Sequence, residues 1–287
     1  GSVYGVCMGT VVTSGIYWNK TLFAELGLDQ PRTYDELVNA AETLQANGYT
    51  PFTAAGAPVW PIDMIMHGFL AGIYEDTNEL ERSLWTGGAG YEDPRYIEML
   101  TKYQNLMQNY YEEGFQTIEY NPHIGRFASG TIGMLPDGIW QANAIAVAID
   151  EAGTDFEFGY MQVPSGDDPA DNQSYPGKGD LMLFLHADSK VKEEAMQWLE
   201  FISRPENYTE FINTVGWLPT QPVTVENEIL NEVNQFPVRF GFEQIHINRP
   251  TQGEYASGFP QYLTPMGTIE DPAEFAARAM ADWNAAE

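Results

Sequence analysis

The chain of 287 residues carries 13 Lys plus Arg against 41 Asp plus Glu, a formal net charge of −28 at pH 7. Phosphate backbones and anionic lipid surfaces are held by cationic side chains, so nucleic acid and an anionic membrane are excluded as partners. Hydrophobic residues at 44% and aromatic residues at 13% fill a sizeable core and exclude disorder, and the length suits one large α/β domain or two smaller ones.

Elements are legible from local signals in chain order. Thr33-Tyr34-Asp35-Glu36 reads as a capping box opening a helix with Leu37, Ala41 and Leu44 on one face, and Gly48 is placed to stop it. Asp93-Pro94 announces a second helix with Ile97, Leu100, Tyr103 and Met107 as its stripe, closed by Gly114. Residues 130–135 form a short apolar strand that Pro136-Asp137-Gly138 turns into an apolar helix from 139 to about 149. Residues 180–187 read as a buried strand, followed by a helix with Val191, Ala195, Trp198 and Ile202 on one face. Pro205 opens a helix that Gly216 ends, and Asp271-Pro272 opens a last one with Phe275, Ala279 and Trp283 inward. The stretches 165–179 and 248–267 are turn-rich connections. Strands separated by capped helices make an α/β protein.

The lone Cys7 cannot close an intramolecular disulfide. His67, His123, His186 and His246 show no metal-ligand spacing, so no metal or other cofactor is expected. No run approaches the ~20 apolar residues that span a bilayer, and any export signal is expected outside this sequence.

Tyr17-Trp18-Asn19-Lys20-Thr21-Leu22-Phe23 through Gly27-Leu28, then Pro31-Arg32-Thr33-Tyr34-Asp35-Glu36-Leu37, resembles the Y-x-N-K-x-L-F-x-x-x-G-L…P-x-T-W-x-E-L signature of family 1 extracellular solute-binding proteins, the sugar-capturing subunits of ABC importers. Phe127-Ala128-Ser129-Gly130 through Asp137-Gly138-Ile139-Trp140, the helix from Ser189 to Glu206, and Gly216-Trp217-Leu218-Pro219-Thr220 resemble three further motifs in the family's order. The resemblance implies a two-lobed α/β fold of the type II periplasmic-binding-protein kind, closed over ligand by a hinge. It assigns residues 1–16 to a crossover strand and hinge, 17–175 to the main part of the second lobe, 176–218 to the second crossover and helices of the first lobe, and 219–287 to the return to the second lobe. The family's opening α/β stretch precedes the matched region, so the first lobe is expected to be incomplete. The apolar faces of residues 189–216 would then need cover, from a separate N-terminal fragment or from self-association. The implied partners are a sugar or oligosaccharide and the ABC permease subunits. The implied location is extracellular or periplasmic, as a lipoprotein or a free protein.

A sugar offers hydroxyls and apolar C–H faces, so its site needs aromatic rings beside hydrogen-bonding groups. Trp140 follows the Asp137-Gly138 corner at a helix start, and the resemblance sets the matching aromatic against ligand; the competing reading is a core tryptophan. Asp137 would either bond sugar hydroxyls or simply cap the helix. Trp60 and Trp217 lie in loops, Trp217 being equally suited to a wedge between lobes. Lys178 and Asp180, in a Gly177-Lys178-Gly179-Asp180 run leading into the second crossover, could bond hydroxyls. Trp18, Trp85, Trp198 and Trp283 are assigned to packing or surface. The acidic residues leave a glycoside hydrolase open as an alternative, but no carboxylate pair is singled out at strand ends. Recognition of a non-sugar solute is a further alternative.

Overall fold

The computed structural model describes residues 5–58, 60–74, 79–240 and 271–285. Strands β1 (Val6–Val12) and β6 (Tyr175–Leu183) form an antiparallel ribbon running from Val12 opposite Gly177 to Val6 opposite Leu183, and β7 (Val238–Phe240) adds parallel to the start of β6. The second sheet comprises β2 (Gly15–Asn19), β3 (Thr50–Phe52), β4 (Ile132–Asp137) and β5 (Phe158–Met161), in the order β3-β4-β2-β5. Its β3–β4 pair is parallel and the other two pairs are antiparallel. The turn-rich stretch from 248 to 267 and His246 lie outside the described residues.

Helices α1 (Lys20–Glu25), α2 (Tyr34–Ala46), α3 (Asp63–Ile73), α4 (Glu79–Trp85) and α5 (Pro94–Asn109) precede α6 (Tyr120–Ala128) and α7 (Ala142–Ala152). They are followed by α8 (Lys192–Ile202), α9 (Pro205–Val215), α10 (Glu228–Val233) and α11 (Pro272–Ala285). One core joins Leu37 and Leu44 of α2 to Phe69 of α3, Tyr103 of α5 and Phe275 and Trp283 of α11. A second joins Val12, Tyr17, Ile139, Ile145, Tyr208 and Ile212 across β1, β2, the turn after β4, α7 and α9. No helix among the described residues is long and apolar enough to cross a membrane.

Local signals act nearly where expected. Thr33 Oγ1 accepts the Glu36 amide at 3.2 Å, while Glu36 Oε2 takes the amide of Arg32 at 2.7 Å, one residue ahead of the reciprocal capping-box position. Asp93 caps α5 through the Arg95 amide at 2.9 Å, and the buried stripe is Tyr96, Met99, Leu100, Tyr103, Leu106 and Met107, with Ile97 only half-buried. That helix ends at Asn109; Gly114, with φ 79°, instead introduces a short 3-10 turn.

Three elements differ from expectation. β4 runs through Pro136 and Asp137, because β3 ends at Phe52 opposite Met134 and no neighbouring strand needs the amide that Pro136 lacks. The apolar helix after it begins as a 3-10 turn, Ile139–Gln141, before α7. β6 starts five residues ahead of the apolar run and ends at Leu183, so Lys178 lies within the strand rather than before it and Asp180 in its middle rather than at its start. Gly177 permits this start, since a Cβ there would stand 2.5 Å from the Val11 carbonyl oxygen.

Candidate ligand-binding site

Because β3 and β4 are parallel, the loops that follow them leave the sheet at the same end. The loop after β3 carries Trp60 and the turn after β4 carries Trp140, while the first turn of α6 supplies Tyr120 and His123. The first loop is pinned by the Gly56 and Ala57 amides, which donate to the carbonyls of Phe115 and Ile118 at 3.1 and 3.0 Å. Thr53 donates its hydroxyl to Glu112, whose carboxylate also receives both ends of the Arg126 guanidinium.

Trp60 is 42% exposed and its ring lies 4.5 Å from that of Tyr120 between centroids, which in turn stacks on His123 at 4.8 Å. The half-buried Trp140 donates its indole Nε1–H to Tyr120 Oη at 2.6 Å. Tyr120 donates to Asp137 Oδ1 at 3.1 Å, and Asp137 Oδ2 is 2.6 Å from His123 Nε2. Asp137 Oδ1 also accepts the Gly138 amide at 2.7 Å. Burial first, and the Asp137 charge second, push the Tyr120 phenol well above its ordinary value, so it stays a donor. Burial likewise raises Tyr17 and Tyr160, whose hydroxyls donate to the carbonyls of Gly138 and Asp137 and hold the turn from beneath.

The Asp137 carboxylate is fully buried, with both oxygens turned inward, so this geometry offers no free oxygen to a sugar hydroxyl. Nor does it cap the following turn, whose N-cap residue is Gly138 with no side-chain acceptor. Gly138 lies beneath the Trp140 ring, where a Cβ would stand 2.2 Å from Cη2.

Trp217, Lys178 and Asp180 belong to a neighbouring group on the β1–β6 ribbon. Asp180 is opposite Gly9 and Lys178 opposite Val11, so both project on the same face. The Trp217 ring crosses that face at Gly9, where a Cβ would meet its Cε3 at 3.0 Å, and it stands edge-on to Phe211. Leu218 is stapled to Thr10 by two backbone bonds of 2.9 Å. Gly216 faces the Asn143 amide and the Trp140 carbonyl, which joins the two groups. Trp283 is buried and Trp18 half-buried, whereas Trp85 and Trp198 are exposed. A cavity of about 580 Å³ at the start of α2 is lined by none of the candidate side chains. Among the described residues no cluster of His, Cys, Asp or Glu could hold a metal ion.

Tyr120 and His123 were not singled out by the sequence. They meet Asp137 from 17 and 14 residues away, across a helix and a strand, and no spacing rule marks such a contact.

The mixed sheet, the antiparallel ribbon beside it and the flanking helices make an α/β fold of the kind seen in periplasmic binding proteins. Residues 3–209 match the model of the bacterial extracellular solute-binding protein family, and the chain belongs to that family. It is 28% identical over 233 residues to the multiple sugar-binding protein of Streptococcus mutans, covering 78% of this chain and 52% of that one. The chain thus spans about half the length of the curated relatives it matches. In fold it is similar to the solute-binding protein RafE in complex with raffinose, with TM-score 0.80 at 24% identity over 99% of this chain and 73% of that one. A sugar transporter from Bacillus licheniformis in complex with stachyose gives TM-score 0.79 at 19% identity, over 100% of this chain and 74% of that one.

Proposed function

We propose that the protein captures a sugar or oligosaccharide on the face formed by Trp60, Tyr120 and Trp140 and delivers it, outside the cytoplasm, to the permease of an ABC importer. The observation that carries this reading is the pair of partly exposed indoles flanking a tyrosine at the sheet end, an arrangement suited to the C–H faces of pyranose rings. The name of the Streptococcus mutans relative, and the raffinose and stachyose in the two structural neighbours, support a sugar as the solute.

In this reading residues 17–175 and 219–287 form one lobe, and 176–218 reach into the other. Lys178 and Asp180 bond ligand hydroxyls from the crossover, and Trp217 adds an aromatic wall. Ligand favours a closed form through its differential contacts with the two lobes, and that form is what the permease recognises. The role is capture rather than bond cleavage, with the mature protein either free or lipid-anchored outside the cell.

Calorimetric titration with raffinose, stachyose and a panel of other oligosaccharides tests it. Trp140→Ala should lose about 1 kcal/mol or more of binding, roughly fivefold to tenfold in Kd. Undiminished affinity in a folded variant would remove Trp140 from the site. Release of smaller sugars from the titrant would overturn the capture reading.

A further inference from the structure

We propose that Tyr120, Asp137 and His123 are positioning residues forming one directed hydrogen-bond relay that turns the indole N–H of Trp140 inward, so that Trp140 meets ligand with ring carbon and not with its N–H.

The direction of each bond follows from chemistry. An indole N–H can only donate, so at 2.6 Å Tyr120 Oη is its acceptor. With its phenol held protonated, Tyr120 sends its own proton on to Asp137 Oδ1. Asp137 Oδ1 already accepts from Tyr120 and from the Gly138 amide, and in the relay Oδ2 likewise accepts, with His123 Nε2 as its donor at 2.6 Å. That fixes the tautomer with the proton on Nε2. His123 Nδ1, buried and without a hydrogen-bond partner, is then a bare lone pair, a smaller loss than an unmet N–H. His123 and Asp137 are 1% and 0% exposed, so water does not compete for either end of their contact.

A specificity consequence follows. Trp140, Tyr120, Asp137 and His123 direct their polar atoms at one another, so the half-buried Trp140 presents ring carbon rather than its N–H at the surface. Such a surface discriminates by the apolar face of a ligand ring and not by its hydroxyl pattern; hydroxyl reading falls to other residues, the ribbon's Lys178 and Asp180 among them. This consequence rests on the sugar-capture reading above, whereas the relay itself does not.

The test is made without ligand, on the full chain labelled with ¹⁵N at tryptophan. Trp140→Phe identifies the Trp140 indole signal. In Tyr120→Phe that signal should move upfield and its N–H should exchange with solvent about tenfold faster, the loss of one strong hydrogen bond. His123→Asn places its amide near Nδ1, out of reach of Asp137, and should loosen the same proton although His123 is not bonded to Trp140. His123→Gln places an N–H near the Nε2 position and should restore it. A Trp140 signal that is unmoved in both Tyr120→Phe and His123→Asn, with the other indole signals showing a folded protein, overturns the relay. Equal disturbance by Asn and Gln overturns the directed Nε2 contact. Raffinose added to the same sample reports separately on sugar capture: a relay confirmed with no response to any sugar in the panel would sink the capture reading and leave the relay standing.

Discussion

Gly138 has an ordinary φ of −77°, so any residue could adopt its backbone. What forbids a side chain is the Trp140 ring, 2.2 Å from where a Cβ would stand. Gly138→Ala should therefore displace the indole while the fold survives. We expect a stability loss of about 1–2 kcal/mol from local overpacking and a drop in sugar affinity matching that of Trp140→Ala. Calorimetric melting paired with titration checks it, and full retention of both would refute the packing argument. Asp137→Asn should behave differently. It replaces one inward-facing acceptor with a donor against His123 or Tyr120, and should cost about 2–3 kcal/mol of stability, read from the urea midpoint. A variant as stable as the parent would mean that these contacts contribute nothing. Sequence reading singled out Trp60, Asp137 and Trp140 one by one because loops, corners and aromatic type are local signals. It does not single out Tyr120 and His123, and it leaves Asp137 between ligand and helix cap, because the side-chain network that buries the carboxylate joins α6 to β4 and leaves no periodic trace.

Helices were more legible than strands for a physical reason: a cap is a contact within four residues, whereas a strand is defined by its neighbour. Thr33, Asp93 and Pro205 mark true helix starts, and Gly216, with φ 71°, a true end. β6 was misplaced because Tyr175, Pro176 and Gly177 look like turn residues until β1 and β7 are beside them. Asp93 illustrates what a cap contributes. It accepts the Arg95 amide, and the Arg95 guanidinium bonds its carboxylate at 2.7 Å, reaches Glu79 at 2.6 Å and stacks on Tyr74. The side-chain bond from Arg95 is the first cause holding the Asp93 carboxyl below its ordinary value of 3.8. Because the folded value is the lower one, its stabilisation is present above the unfolded value and drains away as pH falls through the folded one. Asp93→Ala should cost about 1 kcal/mol near neutrality, discounted for the partial exposure of the pair. It should also lose less stability than the parent on acidification from about pH 5 to about pH 3. Denaturant midpoints across that range test the sign; identical acid sensitivity in parent and variant would rule out Asp93 as a contributor.

At the scale of the molecule the apolar surface is unevenly distributed. Eight of the eleven exposed large hydrophobic residues found among the described residues lie in β1, in β6 and its continuation to Phe184, and at Val191 and along α8. Val191, Trp198, Phe201 and Phe184 are each at least 50% exposed, and α8 buries no residue at all. Its partner α9 does better, burying Tyr208 and Ile212 against β1, where Tyr208 Oη bonds the Met8 carbonyl at 2.8 Å. A contiguous apolar patch of more than roughly 300–600 Å² is unusual on a soluble monomer. An amphipathic helix with nothing over its apolar side is an unfinished layer. The chain covers 73% of RafE, so that protein's fold has elements beyond those matched here. We therefore expect the 287-residue polypeptide by itself to associate through α8, or to retain a peptide there. Trp198→Lys combined with Phe201→Lys should abolish the association, while Val147→Lys on the exposed side of α7 should not. Light scattering and native mass spectrometry decide the matter. A stable 32.1 kDa monomer carrying no peptide would show that this face needs no cover and that residues 176–218 do not belong to a second lobe.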